Sequence, residues 1–248
     1  MLAIYKKEML SYFISPVGYV FSGIFLLLSS LVCAYTTLLS QSYDTSSYFI
    51  VLIFSLAVLI PVLTMRLFSE EKKLRTEQML LTSPVSITGM VVGKFLAAFT
   101  LFLGNILVSC VNFIPLYVIA AKERTLSSTA GELIGPVSSK LIGCLIGVVL
   151  MGAAFIALGT FISSLTENQL AAAIVTIASI LVLLLIGFFS GITDIYWIRV
   201  VLNWISVFSR FSNFSAGIFD PSALFYYVSL AFVFLFLTVR VYDKRRWG

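Results

Sequence analysis

Six stretches of this chain stay apolar for long enough to cross a bilayer, and that pattern constrains the fold more than any other feature of the sequence. Residues 17–39, 95–121, 141–166 and 168–193 carry no charged side chain over at least the roughly 20 residues that a helix needs to traverse the hydrocarbon core. Residues 48–65 and 221–239 are shorter but still within the usual range. Inside hydrocarbon no water satisfies a backbone N–H or C=O, so a continuous apolar run must bond to itself as a helix. A barrel would show short alternating strands instead. The expected fold is an all-α integral membrane protein, a six-transmembrane-helix bundle occupying residues 1–248 as one domain.

Composition agrees and removes several kinds of chemistry. The 248 residues are 60% hydrophobic and 11% charged, against roughly 25% charged in soluble proteins. Histidine is absent, which excludes histidine metal sites, Ser–His–Asp triads and histidine proton relays. Cys33, Cys110 and Cys144 all fall inside expected spans and read as packing residues rather than disulfide or metal partners. Lys6 and Lys7 precede an apolar run of 23 residues. That is longer than the roughly 7–15 residues of a signal-peptide core, so the first run is expected to be retained as a span.

The basic residues set the orientation. With both termini in the cytoplasm, the inner segments hold Lys6, Lys7, Arg66, Lys72, Lys73, Arg75, Lys94, Arg240, Lys244, Arg245 and Arg246. The outer ones hold Lys122, Arg124, Lys140, Arg199 and Arg210, and this asymmetry fits the positive-inside rule. The net charge of +5 then faces anionic headgroups, and no nucleic-acid partner is expected. Tyr43, Tyr48, Tyr196, Trp197 and Trp204 fall near the outer boundary, and Trp247 near the inner one.

Two connections are too structured to be plain loops. On the inner side, residues 66–85 read as a cytoplasmic amphipathic helix. Leu67, Leu74 and Leu81 recur on one face, Glu70–Lys73 and Glu71–Arg75 are placed to pair, and Thr82-Ser83-Pro84 ends it. Such a helix either anchors topology at the membrane surface or acts as a rod that passes a push from a soluble partner into the bundle. On the outer side, residues 191–220 are too apolar for a solvated loop, yet only residues 200–209 separate Arg199 from Arg210. That is half a crossing, so a re-entrant or interfacial helical hairpin is expected, its arginines reaching the headgroups. The turn 166–169 makes the fourth and fifth helices antiparallel neighbours.

Small and polar residues within the spans suggest contacts between helices. Gly143-x-x-x-Gly147, with Ser139 before it, permits close approach of another helix, and dimerisation is one use of such a motif. Asn105 and Asn112 share a face of the third span and either bond across helices or line a polar path. Pro61 and Pro115 are expected to kink their spans.

No catalytic, cofactor or metal site is legible. Gly93-Lys94 imitates the end of a phosphate loop, but Thr88 stands at the first glycine position and Phe95 follows the lysine. Ser109 and Ser163 have no visible base and are expected to bond their own helix carbonyls. The six runs contain no ionisable residue, which disfavours an ion-coupled secondary transporter, and no inverted repeat is visible. A membrane scaffold without transport activity stays open.

Three stretches resemble a known family. Residues 70–85 (EEKKLRTEQMLLTSPV) and Val92-Gly93-Lys94-Phe95-Leu96-Ala97 resemble the coupling-helix region of ABC-2-type ABC transporter permeases. The likeness is nearest to the gliding-motility and nitrous-oxide-reductase-maturation permeases. Arg75 stands at that subfamily's usual glycine and Gln78 at its usual glutamate, with Glu77 adjacent. Ser206-Val207-Phe208, Phe211, Phe214, Gly217, Asp220, Tyr226-Tyr227, Phe236-Leu237 and Arg245-Arg246-Trp247 are similar to its carboxy-terminal signature. Tyr5-Lys6-Lys7-Glu8-Met9 and Phe13-Ile14-Ser15-Pro16-Val17-Gly18-Tyr19 resemble its opening.

The resemblance implies a permease subunit, usually of an exporter, in a bacterial cytoplasmic membrane. It pairs with a second copy or a related permease and with cytoplasmic ABC ATPase subunits, which hold the ATP and Mg. It implies an interfacial helix over residues 2–13, which the shared face of Leu2, Tyr5, Met9 and Phe13 also allows. It makes Glu70, Glu71, Arg75, Thr76, Glu77, Gln78, Leu81 and Pro84 the candidate ATPase-coupling residues, and Trp204, Phe208, Phe211 and Phe214 a candidate outer gate. The substrate is not legible.

Overall fold

Every regular element among the described residues is a helix, as hydrocarbon demands of a backbone that has no water to bond. The computed structural model describes residues 1–40, 43–76, 78, 86–126, 135–192 and 196–247. Helix α1 (Leu2–Ile14) ends at extended Ser15, and Pro16 opens α2 (Pro16–Cys33), where its missing N–H costs nothing. A π-helical stretch, Ala34–Leu39, extends α2. Then come α3 (Ser46–Thr64), α4 (Arg66–Lys73), α5 (Ile87–Ser109) and, after a 3-10 turn at Cys110–Phe113, α6 (Ile114–Leu126). The chain ends with α7 (Ser138–Leu165), α8 (Gln169–Ile192), α9 (Tyr196–Ile205), α10 (Val207–Ser215) and α11 (Pro221–Trp247).

Short polar side chains start these helices. Ser86 Oγ accepts from Gly89 N at 3.2 Å, Asn168 Oδ1 from Leu170 N at 3.0 Å and Ser206 Oγ from Ser209 N at 3.0 Å. Asp220 Oδ1 accepts from Ser222 N at 2.9 Å, with Pro221 as the first residue of α11. Each satisfies a donor that the first helical turn leaves open. The 3-10 turn lies just upstream of Pro115. The proline has no N–H for the Val111 carbonyl, which accepts from Ile114 N instead.

Among the described residues, six helical units are long and apolar enough to cross a membrane: Pro16–Leu39, Ser46–Lys73, Ile87–Glu123, Ser138–Leu165, Gln169–Gly187 and Pro221–Arg246. All but the fifth reach beyond the uncharged runs at one end or both. α5 begins at Ile87 and so takes in Lys94, and α3 passes Pro61 and gives way at Met65 directly to the charged α4.

α7 is the central helix, packed against α3, α4, α5, α8, α10 and α11. α2 and α5 lie side by side, joined by two rungs: Asn105 Nδ2 donates to Ser22 Oγ at 3.0 Å and Asn112 Nδ2 to Ser29 Oγ at 3.1 Å. The order of the rungs means that α2 and α5 run parallel. The asparagines are therefore bonding residues between helices, the first of the two uses open to them. Tyr48 does not join an interfacial belt; it is fully buried, its ring edge-on to Phe49 and Phe113.

Both ends of the chain lie at one end of the bundle. Glu8 of α1 reaches Lys94 near the start of α5, and the Tyr242 ring of α11 lies 4.9 Å from Phe68 of α4. The outward faces of α8 and α11 are apolar, with Ile174, Val182, Leu185, Phe225, Phe232 and Phe236 exposed. Such faces suit acyl chains or another apolar helix.

Candidate functional site

α4 is the first part of the expected coupling segment, and it is docked in the bundle rather than solvated. Leu67, Phe68, Ser69 and Lys72 are buried. The junction between α3 and α4 is held by Ser163 of α7. Its hydroxyl donates to Met65 O at 3.2 Å and accepts from Phe68 N at 3.1 Å and Ser69 N at 3.2 Å. Those two N–H groups belong to the first turn of α4, so a serine from another helix acts as its cap. Ser163 was expected to bond its own helix and does not; Ser109, bonded to Ile106 O at 2.7 Å, does. Lys72 Nζ donates to the Ser164 carbonyl, again on α7.

The helix stops at Lys73, well before the expected Thr82-Ser83-Pro84, and Leu74, expected on the same face as Leu67, is exposed. Arg75 has a left-handed backbone, φ 56°, and donates its N–H to Lys72 O at 3.0 Å, while Thr76 N bonds Glu71 O at 3.0 Å. This pair of bonds is the Schellman close of a helix, whose left-handed position favours glycine. Arg75 therefore fills, under strain, a backbone position suited to glycine, the residue that the resemblance led one to expect there.

The carboxylates of α4 turn inward. Glu70 takes two bonds from Arg66, Nε at 2.7 Å and Nη2 at 2.8 Å, in place of the expected Lys73. Glu71 pairs with Lys94 at 2.9 Å and Lys7 at 3.3 Å, in place of the expected Arg75. Lys94 is 1% exposed; its ammonium meets Glu8 at 3.1 Å and the Leu67 carbonyl at 2.6 Å and lies 5.0 Å from the centre of the Phe68 ring. The helix that carries the third apolar run therefore begins before that run and includes Lys94, which the sequence places on its cytoplasmic side. Lys94 was legible in one respect. It continues the buried stripe of Ile87, Met90, Val91, Ala97, Ala98 and Leu101, and a charge on an apolar helical face calls for a partner.

Of the other candidate coupling residues, Thr76 is exposed in the turn that closes α4, Gln78 is exposed and helical beyond that turn, and Glu77, Leu81 and Pro84 lie outside the described residues.

At the opposite end, the segment expected as a hairpin holds two short helices, α9 and α10, that meet at Ser206; α9 packs on α8, and α10 on α7 and α8. α9 buries nothing, and Tyr196, Trp197 and Trp204 are each at least 70% exposed, as befits aromatics at a membrane boundary. α10 buries Val207, Phe211 and Phe214. Phe211 and Phe214 press on the Gly143 and Gly147 face of α7. A Cβ on Gly143 would lie 2.7 Å from Phe214 O, and one on Gly147 would lie 3.0 Å from the Phe211 ring. The small-residue motif thus receives a helix of the same chain, where a second chain was one expected use.

The four candidate gate residues do not share a surface. Trp204 faces outward, Phe208 is half-buried with its ring 6.0 Å from that of Phe54, and Phe211 and Phe214 are core residues. The turn at Ser206 between α9 and α10 is tied down from α11, where Tyr226 donates to Ile205 O at 2.6 Å and Tyr227 to Val207 O at 2.7 Å. Non-helical backbone is thereby satisfied by protein, as a low-dielectric setting requires. The Arg210 guanidinium stacks over Trp204 and Tyr226. Asn213 Nδ2 donates to Asp220 Oδ2 at 2.8 Å, and that bond, with those from Ser222, holds the Asp220 carboxyl below the usual range.

Residues 34–241 match the family model described as ABC-2 family transporter protein. No curated protein matches the chain.

Proposed function

The chain belongs to the ABC-2 family of transporter proteins, and from that premise we propose that it is the permease subunit of an ATP-binding-cassette exporter. Two permeases, copies of this chain or a related pair, enclose a substrate path in the cytoplasmic membrane. ATP and Mg bind separate cytoplasmic ABC ATPase subunits. Both termini and α4 face the cytoplasm, in keeping with the surplus of basic residues at that end. The proposal extends to the gliding-motility and nitrous-oxide-reductase-maturation subfamily on the three motifs quoted above.

The observation that carries this reading is the continuity of α3 with α4. The two helices meet at Met65, pinned by Ser163, and Lys72 and Lys94 bond α4 to α7 and α5. A displacement applied to the residues after Lys73 therefore reaches three spans at once. Tight packing favours transmission over local yielding. The segment 66–85 is the proposed contact with the ATPase, its end shaped by Arg75 and Thr76.

Purification of the full chain in nanodiscs tests the proposal. We expect no ATP hydrolysis by the chain alone and co-purification of an ABC ATPase subunit. Deletion of residues 77–85, which follow α4 in sequence, should abolish that co-purification while the bundle stays folded. ATP hydrolysis by the isolated chain, or unaltered ATPase binding after the deletion, refutes it.

A further inference from the structure

Arg210 is a cation held in a fixed position at the membrane boundary, with no anion beside it. It lies on α10, one helical turn past Ser206, and its Nη1 donates to Ser222 Oγ at 3.3 Å. Ser222 is the second residue of α11, so the guanidinium stands at the level where the last span begins. Two rings hold it there: its Cζ is 5.9 Å from the centre of Trp204 and 5.5 Å from that of Tyr226. Tyr226 is itself fixed by its bond to Ile205 O. A guanidinium against aromatic faces keeps its N–H groups at its edge, as a planar fork that matches a carboxylate or a phosphate. Apart from the one given to Ser222, those N–H groups meet no acceptor among the described residues.

The nearest intramolecular candidate is engaged elsewhere. Asp220 lies two residues before Ser222, yet its Oδ1 accepts from Ser222 N at 2.9 Å and its Oδ2 from Asn213 Nδ2 at 2.8 Å. No ion pair joins Arg210 to an acidic group among the described residues. The surroundings are those of a lipid boundary. α9 buries none of its residues, and Trp197, Val201 and Trp204, at helical spacing, are exposed on one face. Aromatic side chains on a surface helix beside a charge suit the zone where acyl chains meet headgroups.

We propose that Arg210 binds the phosphate of an acidic phospholipid at the membrane face opposite the chain's termini. The free edge of the guanidinium takes the phosphate oxygens, Ser222 and Tyr226 position it, and Trp204 lies against the upper part of the acyl chains. An acidic lipid is favoured over a zwitterionic one, because the charge of Arg210 is uncompensated and a zwitterionic headgroup carries its own cation. The bound lipid would touch α9, α10 and α11 together. The proposal needs the membrane setting and not the transport activity.

Tryptophan quenching reads this site directly. Trp197→Phe and Trp247→Phe leave Trp204 as the one tryptophan of the full chain. This parent is placed in phosphatidylcholine nanodiscs that contain an equal, minor share of either phosphatidylglycerol or phosphatidylcholine brominated near the headgroup end of its chains. Brominated phosphatidylglycerol should quench Trp204 with roughly fivefold higher apparent affinity than brominated phosphatidylcholine. Arg210→Gln should abolish that preference. Arg199→Gln removes an equal charge from α9 without touching the clamp and should leave the preference in place, as should inorganic phosphate added to the buffer. Equal quenching by the two lipids in the parent overturns the proposal without any Arg210 variant, so a variant that fails to fold cannot protect it. A preference that survives Arg210→Gln, or that Arg199→Gln lowers as much, means a diffuse basic surface and overturns it as well. Displacement by inorganic phosphate would assign the site to a free anion and overturn the lipid.

Discussion

The seat of α10 on α7 allows a worked prediction for Gly143. A Cβ added there would stand 2.7 Å from the Phe214 carbonyl oxygen, whereas ordinary C–H···O contacts are about 3.3–3.6 Å. Gly143→Ala therefore obliges the α10 backbone to retreat by roughly 0.6–0.9 Å. Overpacking of that kind costs ~1–3 kcal/mol.

The same energy should appear as a shift in the docked population, roughly 5- to 150-fold. The assay is the labelling rate of Val207→Cys, a buried position at the head of α10, by a membrane-impermeant maleimide in nanodiscs; the three native cysteines are replaced by alanine. Gly143→Leu should approach complete undocking, and Gly147→Ala, at 3.0 Å from the flexible Phe211 ring, should fall below Gly143→Ala. If the labelling rate stays within about twofold of the parent while self-association collapses, the motif serves an interface between chains and the reasoning fails.

Three further outcomes are expected. Arg75→Gly should stabilise the end of α4 by about 1 kcal/mol, because glycine carries no penalty at a left-handed position; slower amide exchange at Arg75 and Thr76 checks it, and faster exchange contradicts it. For Asp220 the carboxyl is shifted down in the folded chain, so its contribution is present above the usual aspartate range and is lost as pH falls through the folded value. Acidification should therefore loosen the junction of α10 and α11, read as labelling of Ser215→Cys, and Asp220→Asn should flatten that dependence. On membrane sidedness, Ser212→Cys should label from outside and Lys73→Cys and Lys244→Cys only from inside; labelling of Lys244→Cys from outside would reverse the proposed orientation.

Much of this protein was determined by sequence alone. Long runs without charge leave the backbone no hydrogen-bond partner but itself, so six helices follow from composition and length, whatever their neighbours. Caps such as Ser86 and Asp220 are equally local, since a short polar side chain meets the first turn of its own helix. The paired asparagines were visible for a similar reason: a seven-residue spacing puts Asn105 and Asn112 on one face, and a polar face in hydrocarbon needs a partner.

What only the tertiary structure decided is the choice among partners. Glu71 had Arg75 within helical reach but bonds Lys94 and Lys7, because the inward face of α4 is the dry one and an unpaired buried ammonium costs more than an exposed pair gains. The Gly143 and Gly147 face could receive any helix; α10 of the same chain takes it, since the turn at Ser206 held by Tyr226 and Tyr227 delivers Phe211 and Phe214 to that spot. Ser163 caps α4 across the bundle because Met65, where α3 gives way, happens to abut α7. Periodicity reports which face of a helix is apolar, but not which neighbour will cover it, and contacts between residues 60 or more apart form only once the bundle has closed.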